Sequence, residues 1–179
     1  MKGLPAFSQE YFNRFNTGPV DIKPFDSKSI GVVDAYIKKL DILLRPFGLG
    51  LVHRGSTYFR IAGKGEIEFG IYPGEEKWPK VISALTSYYN GVVGKLEPNY
   101  ARFNDTFEGF RVEVIVMKGR EALVDLALTK YLISHPQLLK DYEAVKQKYS
   151  YSKREYYAQK DKFLRSVVER IPEDGQLTL

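Results

Sequence analysis

The sequence predicts an α+β protein, with a mixed sheet in the middle of the chain, flanking helices and a helical C-terminal segment. Three observations predict it. Glu66–Tyr72 and Phe110–Met117 alternate polar and apolar residues with the period of a strand. Apolar residues three and four apart mark helices over about 29–44 and 77–89. From Arg120 onward the pattern is helical with no strand signal. At 179 residues the chain has the length of one domain. Its 44% apolar and 14% aromatic content is enough for a buried core.

Residues 1–28 read as an irregular arm, punctuated by Pro5, Gly18, Pro19 and Pro24. Its aromatics (Phe7, Tyr11, Phe12, Phe15, Phe25) predict that it packs on the domain. A single domain is expected over 29–172, followed by a frayed tail over 173–179. The first firm helix spans Ser29 to Leu44, with Ile30, Val33, Ile37, Leu40 and Leu44 as its apolar stripe, and Pro46 and Gly48 end it. Strands are expected at Leu49 to His53, Tyr58 to Ile61, Glu66 to Tyr72 and Val92 to Leu96. Lys77 to Tyr89 reads as a helix. Tyr100 to Phe103 and Gly109 to Met117 read as a hairpin turning at Asn104-Asp105-Thr106. The next helix presents Leu123, Leu126, Ala127 and Tyr131 on one face. Pro136 opens a second helix running to about Tyr149. Ser152 with Glu155 forms the capping box of a third, which reaches Ile171.

The chain has no cysteine, which excludes disulfides, thiol nucleophiles and Cys-ligated metals. Two histidines are too few for a three-His zinc site. No apolar run approaches the roughly 18 residues of a membrane span, and the N-terminal residues form no signal-peptide core. A cytoplasmic protein with no membrane partner is therefore expected. The net charge is +5. Residues 118–170 hold twelve Lys/Arg against seven Asp/Glu, so this stretch alone carries the surplus of five. A positive field favours phosphates or nucleic acid, although a solvated helical surface has the same composition.

The densest chemistry lies between His53 and Glu68. Gly55-Ser56-Thr57 sits just past a strand, where glycine allows close backbone approach and the hydroxyls can donate to a triphosphate. Glu66 and Glu68, two apart on a strand, point one way. Two close carboxylates repel unless something neutralises them, and a hard cation such as Mg²⁺ prefers such oxygen ligands. Glu113, flanked by Val112 and Val114, joins them if its strand pairs alongside. Carboxylates of this kind can hold the metal ions of nucleotidyl transfer. The same Glu-Ile-Glu alternation is also the ordinary pattern of a half-buried strand with its acids in water.

His53-Arg54-Gly55-Ser56-Thr57, followed by Lys64 and the acidic strand, resembles the His-x-Gly-Ser-Thr motif of the GrpB family. Lys130-Tyr131-Leu132-Ile133-Ser134-His135-Pro136 resembles the family's helix end. Tyr142 with Lys146, and Tyr156 with Lys160 and Phe163, are similar to its Tyr-x-x-x-Lys helices. The resemblance runs from about residue 35 to 171. It implies the polymerase-β-like nucleotidyltransferase fold, with a nucleoside triphosphate as ligand, Mg²⁺ as cofactor and a nucleic acid or protein as possible acceptor. Glu66, Glu68 and Glu113 would be the catalytic and metal-binding acids. Gly55, Ser56, Thr57, Lys146 and Lys160 would contact phosphates.

The chain departs from the family in carrying Glu where the family has Asp, Gly65 where a Pro follows the Lys, Thr129 for an Arg, and Arg111-Val112-Glu113 for a His-x-His strand. Aligning on Lys64 would match Glu68 and Gly70 to the two acids. Aligning on the Gly-Ser spacing matches Glu66 and Glu68 and keeps two carboxylates on one face. A non-catalytic nucleotide- or nucleic-acid-binding module of the same fold is the alternative. His53 has two readings, as a phosphate-orienting group or a structural hydrogen-bonder. Lys146 and Lys160 could equally lay their stems on the tyrosines one turn earlier.

Overall fold

The computed structural model describes residues 1–91 and 94–172. The expected tail at 173–179, and Val92 and Val93 of an expected strand, lie outside the described residues. The chain divides into two compact units. Among the described residues a sheet unit comprises residues 25–60 and 65–122, and a helical unit comprises residues 1–24, 61–64 and 123–172.

The sheet unit has the expected mixed sheet. Five strands, β1 (Val52–Arg54), β2 (Ile67–Ile71), β3 (Lys95–Glu97), β4 (Tyr100–Phe107) and β5 (Phe110–Met117), lie in the order β1-β2-β5-β4-β3. Only β2 and β5 run parallel; the other three pairings are antiparallel. Helices α2 (Ser29–Leu44) and α4 (Trp78–Tyr88) supply the apolar partners of one sheet face. Ile67, Phe69 and Ile71 of β2 and Val112, Val114 and Val116 of β5 are fully or almost fully buried there with Tyr36, Leu40 and Leu85. Because side chains alternate across a strand, Glu68 and Glu113 are left to the other face.

The structure corrects three local expectations in this unit. Tyr58 to Ile61 is not a strand: residues 55–59 form a short helix, α3 (Gly55–Phe59), closed by Arg60 in the left-handed region. The β-favouring Tyr-Phe pair is overridden by the turn that Gly55 starts, as β propensity yields to context. The hairpin turns at Glu108-Gly109 rather than at Asn104-Asp105-Thr106. Both turn residues have positive φ (48° and 80°), as the type I′ two-residue hairpin turn requires, and Phe107 pairs with Phe110. Asp105 stays in β4 because Tyr36 and Lys39 donate to its carboxylate at 2.9 and 3.2 Å. On α2 the buried face runs through Val32, Val33, Tyr36, Leu40 and Leu44, while Ile30 is 44% exposed. Tyr36 draws the stripe round by anchoring its hydroxyl to Tyr89 at 2.8 Å as well as to Asp105.

The helical unit contains α1 (Gln9–Asn13), most of α5 (Gly119–Ile133), α6 (Pro136–Lys148) and α7 (Lys153–Arg170). Half of the expected capping box opens α7: the Ser152 hydroxyl accepts from the Glu155 amide at 3.4 Å, while the Ser152 amide donates to the Tyr149 carbonyl. On α5, of the four residues expected on the apolar face only Ala127 is buried; Ala122, Val124, Asp125 and Leu132 are buried instead. The arm, expected to be irregular, contains α1 and is tied to α7. Arg154 donates to the carbonyls of Asn13 and Phe15, and the Lys153 amide donates to Gly18 at 2.7 Å. Phe15 packs on Tyr157 with ring centroids 4.4 Å apart, and Tyr142 of α6 stacks on Phe163 of α7. Among the described residues no helix is long and apolar enough to cross a membrane.

Candidate functional site

β1 ends at Arg54 in extended geometry, and the chain then turns sharply because Gly55 has φ +75°. An L side chain is strained there. It would also have no room, since a Cβ on Gly55 would lie 2.7–3.0 Å from the carboxyl carbon and both oxygens of Glu68. The backbone at Gly55 therefore comes directly against the Glu68 carboxylate. Ser56 and Thr57 follow on α3, both half-buried.

The strand register places four polar residues in one line across the sheet. Arg54 pairs with Glu68, Glu68 with Glu113, and Glu113 with Asn104. Side chains in register share a face. Glu68 and Glu113 are thus direct neighbours on the parallel pair, on strands about 4.8 Å apart. Like charges directly opposite each other destabilise a sheet, whereas Arg54 opposite Glu68 is the favourable arrangement. A second guanidinium, that of Arg102, lies 4.0 Å from Glu113. Tyr100, two residues before Arg102, is half-buried beside these charges. Burial pushes its hydroxyl up to about 12, against the pull of Arg102.

Glu66 lies one residue before β2 and is only 4% exposed. Its carboxylate is ion-paired with Arg111 at 2.9 Å. Among the described residues, no three or more His, Cys, Asp or Glu side chains form a group that could hold a metal ion. The Glu68–Glu113 pair nevertheless fits Mg²⁺ by its donor chemistry. It offers two hard oxygen donors side by side, and a nucleotide-bound Mg²⁺ takes only one or two protein carboxylates, with phosphates and waters completing the octahedron.

His53 shares a register position with Phe69, so its ring lies on the apolar face of the sheet, 5.8 Å from the Phe69 ring. Its Nε2 is 2.9 Å from the Thr57 hydroxyl. Burial lowers its pKa to about 4, despite the opposing fields of Glu68 and Asp34, so the imidazole is neutral at neutral pH.

Lys146 and Lys160 belong to the helical unit. Lys146 is 1% exposed, and its ammonium donates to the Ala62 carbonyl and lies 4.7 Å from the Tyr142 ring centre. Glu143, one turn earlier on α6, accepts from the Ala62 amide at 2.5 Å. Lys23 and Gly63 exchange two backbone hydrogen bonds, at 2.7 and 2.9 Å. Lys160 lies on α7 one turn after Tyr156, whose hydroxyl is pushed up to about 12 by burial while Lys160 draws it down.

Arg102, Arg111 and Tyr100 were not singled out by the motifs. Arg102 and Tyr100 did carry a signal, since with Asn104 they alternate with Ala101 and Phe103 and so share one strand face.

No protein-family model matches the chain, and no curated protein matches its sequence. Among solved structures it is similar to the conserved protein GrpB from Enterococcus faecalis. That likeness has a TM-score of 0.65 and 18% identity, and it covers 83% of this chain and 98% of that one. The resemblance carried by the motifs is thereby met at the level of fold: the chain has the fold of GrpB. A cytoplasmic RNA terminal U-transferase is a more distant neighbour, with a TM-score of 0.38 and 14% identity over 77% of this chain and 44% of that one. A likeness at that level carries no argument.

Proposed function

We propose that this chain is a GrpB-like protein of nucleotidyltransferase fold, acting in the cytoplasm. In this reading it binds a nucleoside triphosphate with Mg²⁺ and transfers a nucleotidyl group to a hydroxyl of a nucleic acid or protein acceptor. The observation that supports this reading is the placement of two carboxylates, Glu68 and Glu113, in parallel register, with the Gly55 backbone against the first. A carboxylate pair of this kind is expensive without a cation. The glycine turn is what admits the Glu68 carboxylate against the backbone.

Mg²⁺, when bound, supplies charge neutralisation at the phosphates and lowers the pKa of the attacking hydroxyl. Glu68 and Glu113 would hold it. Glu66 would join them only by exchanging its Arg111 partner. The hydroxyls of Ser56 and Thr57 and the backbone amide of Gly55 would donate to phosphate oxygens, while the space of the missing Gly55 side chain is taken by the Glu68 carboxylate. Lys160 is a candidate phosphate contact by charge. Lys146, already committed to the Ala62 carbonyl, would serve phosphate only on leaving it.

The non-catalytic reading has its own support. Arg111 is ion-paired with Glu66, Arg54 stands opposite Glu68 in the register and Arg102 lies near Glu113, so each of the three acids has an arginine of its own. Calorimetric titration of the full chain with ATP and GTP, with and without Mg²⁺, separates the readings. Binding that needs Mg²⁺ and is lost in Glu68→Gln supports the metal-centred reading. Binding indifferent to both changes rejects it. Oligonucleotide binding that weakens steeply with salt favours the non-catalytic module.

A further inference from the structure

The Thr57 hydroxyl, one of the candidate phosphate donors, is bonded to the histidine that opens the same motif. His53 lies on the apolar side of β1, yet its Nε2 is 2.9 Å from the Thr57 hydroxyl. Only Arg54, Gly55 and Ser56 separate the two, so this hydrogen bond closes a loop around the left-handed Gly55. The ring is fixed from two sides, by Tyr58 at 5.5 Å edge-on and by Phe69 at 5.8 Å. A ring packed this way has no freedom to trade Nε2 for Nδ1 without repacking the sheet face. Its burial also keeps it neutral, so one ring nitrogen donates and the other accepts.

The direction of the bond decides what Thr57 can do. If Nε2 accepts, the threonine proton is committed to the imidazole, and the hydroxyl offers only lone pairs, which repel phosphate oxygens. If Nε2–H donates, the threonine oxygen is satisfied as an acceptor and its proton is available to a phosphate. We propose that His53 is a positioning residue for the candidate phosphate cradle: in its Nε2–H tautomer it donates to Thr57 Oγ and aims the hydroxyl proton at a phosphate oxygen of a bound nucleoside triphosphate. This inference rests on the nucleotide-binding reading above.

Two measurements on the full chain test it. The first is the ¹⁵N spectrum of the imidazoles at neutral pH, with His53 distinguished from His135 by a His135→Gln variant. The expected result is a neutral ring protonated at Nε2; a ring protonated at Nδ1 overturns the proposal without any ligand. The second is titration with MgATP of the parent, His53→Phe, Thr57→Val and the double variant, each first shown to be folded by circular dichroism. Each single change is expected to weaken binding about three- to tenfold, the effect of one neutral hydrogen bond. The double variant is expected to bind no more weakly than the weaker single. Multiplying effects in the double variant would overturn the proposal while leaving nucleotide binding intact. A parent that binds no MgATP would instead overturn the nucleotide-binding reading, and this inference with it.

Discussion

Replacing Gly55 by alanine asks directly whether the Glu68 carboxylate lies on the backbone of the Gly-Ser-Thr turn. Two effects add. The first is conformational: an L residue at φ +75° costs roughly 1–2 kcal/mol, offset by about 0.4–1 kcal/mol because alanine reduces the entropy of the unfolded chain. The second is steric, since the new Cβ would stand 2.7 Å from the Glu68 carboxyl carbon. The clashing atoms are the end of a flexible side chain, so they can swing away, at the roughly 0.5–1.5 kcal/mol of an off-rotamer torsion. Gly109 provides the control. Its φ is +80°, and a Cβ there would meet nothing within 4 Å, so Gly109→Ala carries only the conformational effect. Urea denaturation followed by circular dichroism should show Gly109→Ala losing about 0.5–1 kcal/mol and Gly55→Ala losing about 1–2.5 kcal/mol. The excess should vanish when Glu68→Ala is already present, giving a favourable coupling of about 0.5–1.5 kcal/mol. Equal losses for the two glycines, with no coupling to Glu68, would refute the contact and remove the geometric support for the candidate site.

The remaining predictions concern the supports around it. Stability should fall with pH between about 6.5 and 4, because there the unfolded chain binds a proton at His53 that the native state refuses. The contribution is fully present above that window and its loss reaches roughly 2–3 kcal/mol at the acid end, so His53→Phe should flatten the stability profile recorded by urea titration. Tyr36→Phe takes the partner of the Tyr89 hydroxyl and leaves the Asp105 carboxylate to Lys39, while Tyr89→Phe strips only Tyr36 of one of two; the first should cost about 1–3 kcal/mol and the second less, by the same assay. Lys146→Met keeps the aliphatic stem but abandons the Ala62 carbonyl, and should cost about 1–3 kcal/mol with faster amide exchange at Ala62; a gain in stability would mean that burying the ammonium outweighs its hydrogen bond.

How far the residues foretold this molecule depends on whether the information was local. The extents of α2 and α4, the Ser152 cap and the alternation in β2 and β5 are local, and they were legible within a residue or two. The turn at Glu108-Gly109 was not, because Asn104-Asp105-Thr106 carries a turn composition of its own. It is held in the strand by Tyr36 and Lys39, more than sixty residues away in sequence. The short helix after Gly55 was hidden for a similar reason: Tyr58 and Phe59 favour strands wherever the backbone does not decide for them.

The acidic pair marks the boundary between the two kinds of information. Composition and spacing suggested Glu66 beside Glu68, since residues two apart on a strand share a face. They could not say where the strand begins. With β2 starting at Ile67, the carboxylate that stands directly beside Glu68 is Glu113, forty-five residues later and brought there by a parallel pairing that no turn announces. Arg111 lies two residues before Glu113 on β5, and its guanidinium takes Glu66. One register therefore gathers an acid to Glu68 and gives Glu66 a base. A shift of β5 by a single residue would turn Glu113 and Arg111 to the apolar face together and break both arrangements at once. The eight-residue pairing of β4 with β5, closed by Phe107 against Phe110, and the burial of Val112, Val114 and Val116 fix that register from the opposite face. The charge pattern of the candidate site is therefore set by the apolar residues behind it.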